Sequence, residues 1–129
     1  MILLDTHALV WAVAEPKRLS PPALAAIRRA RRDDGLAVAA ITVWELAALI
    51  AKGRIQAYGT LEGSLRLLLE GVTIKPLTPE IATLATQFPR DYPPDPADRL
   101  IVATARAEGL PLVTRDEQVR RSNLLRTIW

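Results

Sequence analysis

Ile2-Leu3-Leu4-Asp5 decides the reading of this chain: three apolar residues directly after Met1, ending on a carboxylate. A short, uninterrupted apolar run suits a parallel β-strand covered on both faces better than an alternating surface strand. In open parallel sheets ligands sit beyond the carboxyl ends of the strands, which is where such a strand delivers Asp5. A carboxylate at that position has to be paired, to cap a helix or to meet a cation. Capping of the next helix, near His7 and Ala8, is the competing reading.

Outward from that strand, residues 8–14 read as a short apolar helix bearing Trp11. Ser20-Pro21-Pro22 supplies an N-cap and early prolines for a helix through Arg32. The basic end of that helix (Arg28, Arg29, Arg31, Arg32) reads first as a solvated face with cations at a helix C-terminus, and second as an RNA-facing patch. Residues 36–40 predict a second strand, 42–52 a helix with Gly53 as its left-handed stop, and 61–69 a further amphipathic helix. A third strand follows at 72–75, and Thr78-Pro79 opens a helix to Gln87. The proline-rich stretch 88–96 is held extended and delivers the chain to Asp95-Pro96-Ala97-Asp98, the start of a helix that ends near Gly109. Leu112-Val113 make a fourth strand before Thr114-Arg115-Asp116, and 124–129 predict a last edge strand. Short apolar runs alternating with helical patterns indicate an α/β fold, in a single domain over residues 1–129.

Composition narrows the function classes. The chain is 50% hydrophobic and 24% charged, the balance of a globular protein. Its longest apolar run, near 36–44, falls short of the roughly 20 residues a membrane span requires. No basic and apolar leader is visible at the start, so the expected location is the cytoplasm. With no cysteine there is no disulfide, thiolate ligand or thiol nucleophile. Seventeen Lys and Arg oppose 14 Asp and Glu. If the acids discussed next are neutralised by a cation, the rest of the surface is more basic than the formal +3, which suits a polyanion.

Four acids stand just after an apolar segment or in the first turn of a predicted helix: Asp5, Glu45, Asp98 and Asp116. One parallel sheet can bring all four to the same edge. Each has a plainer reading. Thr42-Val43-Trp44-Glu45 is also a capping box with Glu45 at its fourth position. Asp95 looks like an N-cap with Asp98 in the first turn, although two acids at one helix start exceed what capping needs. Asp116 alone would be a turn residue. His7 is the only histidine, so no Ser-His-Asp or Cys-His scheme is evident; it reads, with Thr6, Asp95 and Thr114, as a neighbour supporting the acids. Trp11, Trp44 and Trp129 lie on apolar segments and read as core or interface. Carboxylate oxygens without His or Cys select hard cations, Mg²⁺ or Mn²⁺, whose chemistry with a polyanion is phosphodiester hydrolysis.

These residues resemble the PIN-domain ribonucleases, and among them the VapC-type toxins of VapBC toxin–antitoxin pairs. The likeness rests on LLDTHALVW at 3–11, ITVWELAALIAKGRI at 41–55, DPADRLIVATA at 95–105, LVTRD at 112–116 and the closing Trp. It implies a three-layer α/β/α sandwich around a parallel sheet of four or five strands. Asp5, Glu45, Asp98 and Asp116 would be metal ligands or water-orienting groups, with Thr114 as a hydroxyl neighbour. It further implies an Mg²⁺- or Mn²⁺-dependent endoribonuclease that leaves 5′-phosphate and 3′-hydroxyl ends, a homodimer, and silencing by a cognate VapB-type antitoxin. Lys52, Arg54 and Arg99 are expected near enough to touch RNA phosphates. The rival is a non-catalytic PIN-like module that binds RNA or protein, against which the complete acidic set argues. A receiver domain would need an aspartate where Lys75-Pro76-Leu77 follows the third strand, and a haloacid-dehalogenase-type phosphatase an aspartate where His7 stands.

Overall fold

The computed structural model describes residues 1–129. Five strands form one sheet: β1 (Ile2–Leu4), β2 (Leu36–Ala39), β3 (Val72–Lys75), β4 (Leu112–Val113) and β5 (Thr127–Ile128). Their order is β3-β2-β1-β4-β5, and every neighbouring pair is parallel. The helices are α1 (Thr6–Ala14), α2 (Pro21–Arg32), α3 (Ala40–Ala51), α4 (Leu61–Leu68), α5 (Pro79–Gln87), α6 (Pro96–Glu108) and α7 (Glu117–Arg121), with a short 3₁₀ turn at Pro16–Arg18. No helix is long and apolar enough to cross a membrane.

The chain builds outward from β1 through β2 to β3 and then returns to the other side of β1 for β4. Parallel crossovers are right-handed, so this reversal of direction moves the connecting helices from one face of the sheet to the other. Strand side chains alternate accordingly. Leu3, Ala37, Ala39 and Leu112 pack with Ile81 and Ala85 of α5 and Ile101, Val102 and Ala105 of α6. Leu4, Leu36, Val38 and Val113 pack with Leu9 and Trp11 of α1, Ile27 of α2 and Leu46 of α3. Both faces are thus covered, giving the expected three layers, and Leu3 and Leu4 are completely buried. Truncating either to Ala would cost about 2–5 kcal/mol.

Several boundaries differ from expectation. α1 begins at Thr6, two residues early, because Asp5 accepts from the Ala8 N–H at 2.8 Å and so caps it. β2 stops at Ala39, and α3 starts at Ala40 with no side-chain cap. The last strand keeps only Thr127–Ile128 of the six residues expected, since β4 offers it just Leu112 and Val113 for pairing. Trp11 is core and Trp129 packs on it with ring centroids 6.0 Å apart, whereas Trp44 is 66% exposed.

Candidate carboxylate centre

β1 is the switch point of the sheet, with β2 on one side and β4 on the other. Crevices open beyond the carboxyl ends of strands at such points. Leu4 is level with Val38 and with Val113, so Asp5 leaves the sheet beside Ala39 on one neighbour and Thr114 on the other. Its N–H donates to the Val113 carbonyl at 3.1 Å, holding the residue in line with its strand. Three helices that begin beyond the sheet carry acids at their starts: Asp5 before α1, Asp95 before α6 and Asp116 before α7.

Each of these acids caps its helix. Asp95 accepts from the N–H groups of Ala97 at 2.8 Å and Asp98 at 3.1 Å. Asp116 accepts from Gln118 at 2.9 Å and Val119 at 3.2 Å, while its own N–H donates to the Thr114 hydroxyl oxygen at 3.1 Å. Capping and site duty are therefore compatible, because a cap uses one carboxylate oxygen and leaves the other free. Asp98 in the first turn of α6 has no such duty.

Glu45 is placed differently from the capping-box alternative. α3 starts two residues before Thr42, so Thr42 lies inside the helix, fully buried, and cannot be its N-cap. Glu45 instead accepts from the Thr6 hydroxyl at 2.5 Å, and Thr6 and Thr42 hydroxyls meet at 3.1 Å. This buried chain of hydroxyls ties α1 to α3 and orients the Glu45 carboxylate.

Asp5, Asp98 and Asp116 open into one cavity of ≈ 500 Å³, shared with His7, Trp11, Arg18 and Arg115. Electrostatics connects Glu45 to the same group. Burial, followed by the like charges of Asp95, Glu45, Asp116 and Asp5, pushes the Asp98 carboxyl up to about 6. Burial also raises Asp5, opposed by hydrogen bonds from the Thr114 hydroxyl and the Ala8 N–H and by His7. The protein has gathered negative charge that its own cations leave unneutralised.

Such a set fits a hard divalent cation in kind, being all carboxylate oxygen. The acids do not form a closed group of three or more ligands. That openness suits Mg²⁺, which keeps several waters and needs only one or two carboxylates beside substrate phosphates.

The expected phosphate contacts fare unevenly. Arg99 has a structural role: its guanidinium donates to five backbone carbonyls, those of Ala85, Phe88, Pro89, Tyr92 and Pro93, at 2.7–3.2 Å. It clasps the proline-rich loop that leads into α6, which occupies every N–H but one on Nη2. Lys52 caps the far end of α3, exposed and about 10 Å along the axis from Glu45, so it is not gathered with the acids. Arg54 lines a groove that also holds His7, Trp11 and Arg18. The sequence reading missed Arg18 and Arg115. Arg115 had a signal, since it lies between Thr114 and Asp116; Arg18 had none, because a turn of 3₁₀ helix folds it back over Trp11.

A two-faced α/β/α sandwich with carboxylates at the switch point of its parallel sheet defines the class. Within that class the chain belongs to the PIN-domain family, whose profile matches residues 2–123. It is 45% identical over 130 residues to Ribonuclease VapC22 of Mycobacterium tuberculosis, covering 99% of this chain and 98% of that protein. In fold it is similar to VapBC2 from Rickettsia felis, solved bound to a DNA fragment from their promoter, with a TM-score of 0.76 at 19% identity over 98% of this chain and 97% of the other. It is similar too to FitAcB from Neisseria gonorrhoeae, with a TM-score of 0.67 at 28% identity over 98% and 96% of the two chains.

Proposed function

We propose that this protein is a divalent-metal-dependent endoribonuclease and the toxin of a VapBC-type toxin–antitoxin pair, acting in the cytoplasm. The observation that carries the reading is that Asp5, Asp98 and Asp116 line one crevice, with Glu45 near enough to add its like charge to theirs at Asp98. The 45% identity to a VapC ribonuclease over nearly the whole chain supports it.

Asp5, Asp98 and Asp116 would hold the cation, Mg²⁺ or Mn²⁺, with Glu45 at the rim. When bound, the cation supplies positive charge at the scissile phosphate and makes water more acidic. The residues do the rest. Thr6 fixes Glu45, and Thr114 fixes both Asp5 and the Asp116 backbone. A carboxylate so held can orient a water in line with the scissile bond and accept its proton. Attack on phosphorus from the side opposite the 3′-oxygen leaves a 5′-phosphate and a 3′-hydroxyl.

A protein partner has a surface available. Val13, Ile55, Tyr58, Leu67 and Leu68 line an apolar groove of ≈ 560 Å³ beside α1 and α4, and Tyr58 and Leu67 are largely exposed. This supports seating of a VapB-type antitoxin helix. The exposed indole of Trp44 on α3 supports a homodimer contact.

Incubation of total RNA with purified protein in Mg²⁺, Mn²⁺ or EDTA, beside Asp5→Asn, tests the reading. Discrete fragments bearing 5′-phosphates, absent with EDTA and in the variant, are expected. Equal inertness of both proteins while both still bind RNA or a partner would replace it with the non-catalytic binding module.

A further inference from the structure

The acidic crevice has a second wall of opposite sign. Arg18 and Arg115 line the same ≈ 500 Å³ cavity as Asp5, Asp98 and Asp116, yet the ion pairs of the structure join neither arginine to any of those acids. Arg18 bonds only to exposed Glu15, at 3.2 Å. The two guanidiniums share one support: their central carbons lie 4.8 Å and 5.9 Å from the ring centroid of Trp11. Trp11 is only 8% exposed and is braced by His7 at 5.8 Å and Trp129 at 6.0 Å. One rigid indole thus holds two cations that come from different parts of the chain.

Acids and arginines that share a cavity without pairing call for two ligands of opposite charge. A guanidinium presents its donors in a fork that matches phosphate oxygens, and stacking on an aromatic ring limits the freedom it loses on binding. Resting on the endoribonuclease reading for the identity of the polyanion, we infer that Arg18 and Arg115, held on Trp11, bind an RNA backbone phosphate adjoining the one that meets the acids. The site reads charge and spacing rather than base. It replaces Arg99 as the anion contact, and it sets the direction in which the strand leaves the crevice: across Trp11.

The test measures binding without cleavage. A fluorescent single-stranded RNA oligonucleotide is titrated in EDTA against Asp5→Asn protein, alone and combined with Arg115→Gln, Arg18→Gln or both, between 50 and 200 mM KCl. Each arginine variant is expected to lower affinity by about tenfold, equally for oligonucleotides of different sequence, and the double variant to reduce the salt slope by about 0.7, the contribution of one single-strand phosphate. Arg115→Lys, which keeps the charge but loses the fork and the stack, keeps the slope while losing part of the affinity. Trp11→Phe weakens binding through the platform, and thermal unfolding of each variant separates this from misfolding. Unchanged affinity and slope in the double variant would overturn the inference. Protein with Asp5 intact that leaves total RNA uncut in Mg²⁺ and Mn²⁺, while the arginine variants still lose affinity, would overturn the nuclease reading and leave the anion site standing.

Discussion

The Thr6 hydroxyl donates to Glu45 at 2.5 Å while meeting the Thr42 hydroxyl at 3.1 Å, so a residue of α1 orients an acid of α3. Thr6 is buried; its one proton goes to Glu45, so Thr42 donates to it, and loss of the Thr6 hydroxyl leaves an acceptor without a donor and a donor without an acceptor at a cost of about 1–3 kcal/mol. Thr6→Val is therefore expected to lower RNA cleavage by at least tenfold, in the range seen when a group supporting a metal ligand is removed, and to lower the melting temperature. Thr6→Ser keeps the donor and should restore both. Cleavage rates and thermal unfolding of the two variants check this, and equal loss in both would mean that packing of the methyl group dominates.

Asp98 makes stability depend on pH. Its folded pKa is raised to about 6 from an ordinary 3.8, by burial first and by Asp95, Glu45, Asp116 and Asp5 after it. Between those values the folded state holds a proton that the unfolded state has lost, so stability falls as pH rises from about 4 to about 6 and stays low above. Asp98→Asn is expected to raise the melting temperature of metal-free protein at pH 7.5 and to lose that advantage by pH 4. Melting curves in EDTA across that range measure it, and an advantage independent of pH would point to packing.

A bound divalent cation should offset the same repulsion. At a concentration about 100-fold above its dissociation constant it stabilises the folded state by about 2.7 kcal/mol. Mn²⁺ is expected to raise the melting temperature of the wild type at pH 7.5 and much less that of Asp5→Asn or Asp98→Asn. Calorimetric titration with Mn²⁺ gives the same comparison without RNA; equal affinity in all three proteins would move the cation elsewhere.

Arg99 is expected to behave as a clasp. Lysine is a point charge and cannot reach five carbonyls as a planar fork does. Arg99→Lys should then destabilise about as much as Arg99→Met, by roughly 2–4 kcal/mol for the broken charge-assisted bonds and the loosened loop. Denaturant unfolding of both decides it. A lysine variant with native stability would return Arg99 to the list of phosphate contacts.

Much of this was legible in the chain itself. The runs Ile2-Leu3-Leu4 and Leu112-Val113 are apolar throughout because strands covered on both faces leave no position for a polar side chain. Ser20, Thr60, Thr78 and Asp95 sit where their helices begin and bond to the amides there. These are interactions between residues two or three apart, so local sequence specifies them. Asp5, Asp98 and Asp116 were legible for a related reason: each follows such a boundary directly.

What lies between distant segments was not. Thr42 carries a strong local capping signal, yet the hydroxyl of Thr6, 36 residues away, draws it into a buried pair and the helix starts earlier. Arg99 follows an acidic motif and reads as a surface cation until the proline-rich loop folds over it. Arg18 and Arg115 are nearly 100 positions apart and become one wall only because Trp11 sits between them. The sequence alone determined where the strands lie, the caps that residues two or three apart can make, and the candidate acids. The tertiary structure decided which polar groups are used up by other groups and which remain for a ligand, because a hydrogen-bonding or charged group counts its partners in space rather than along the chain.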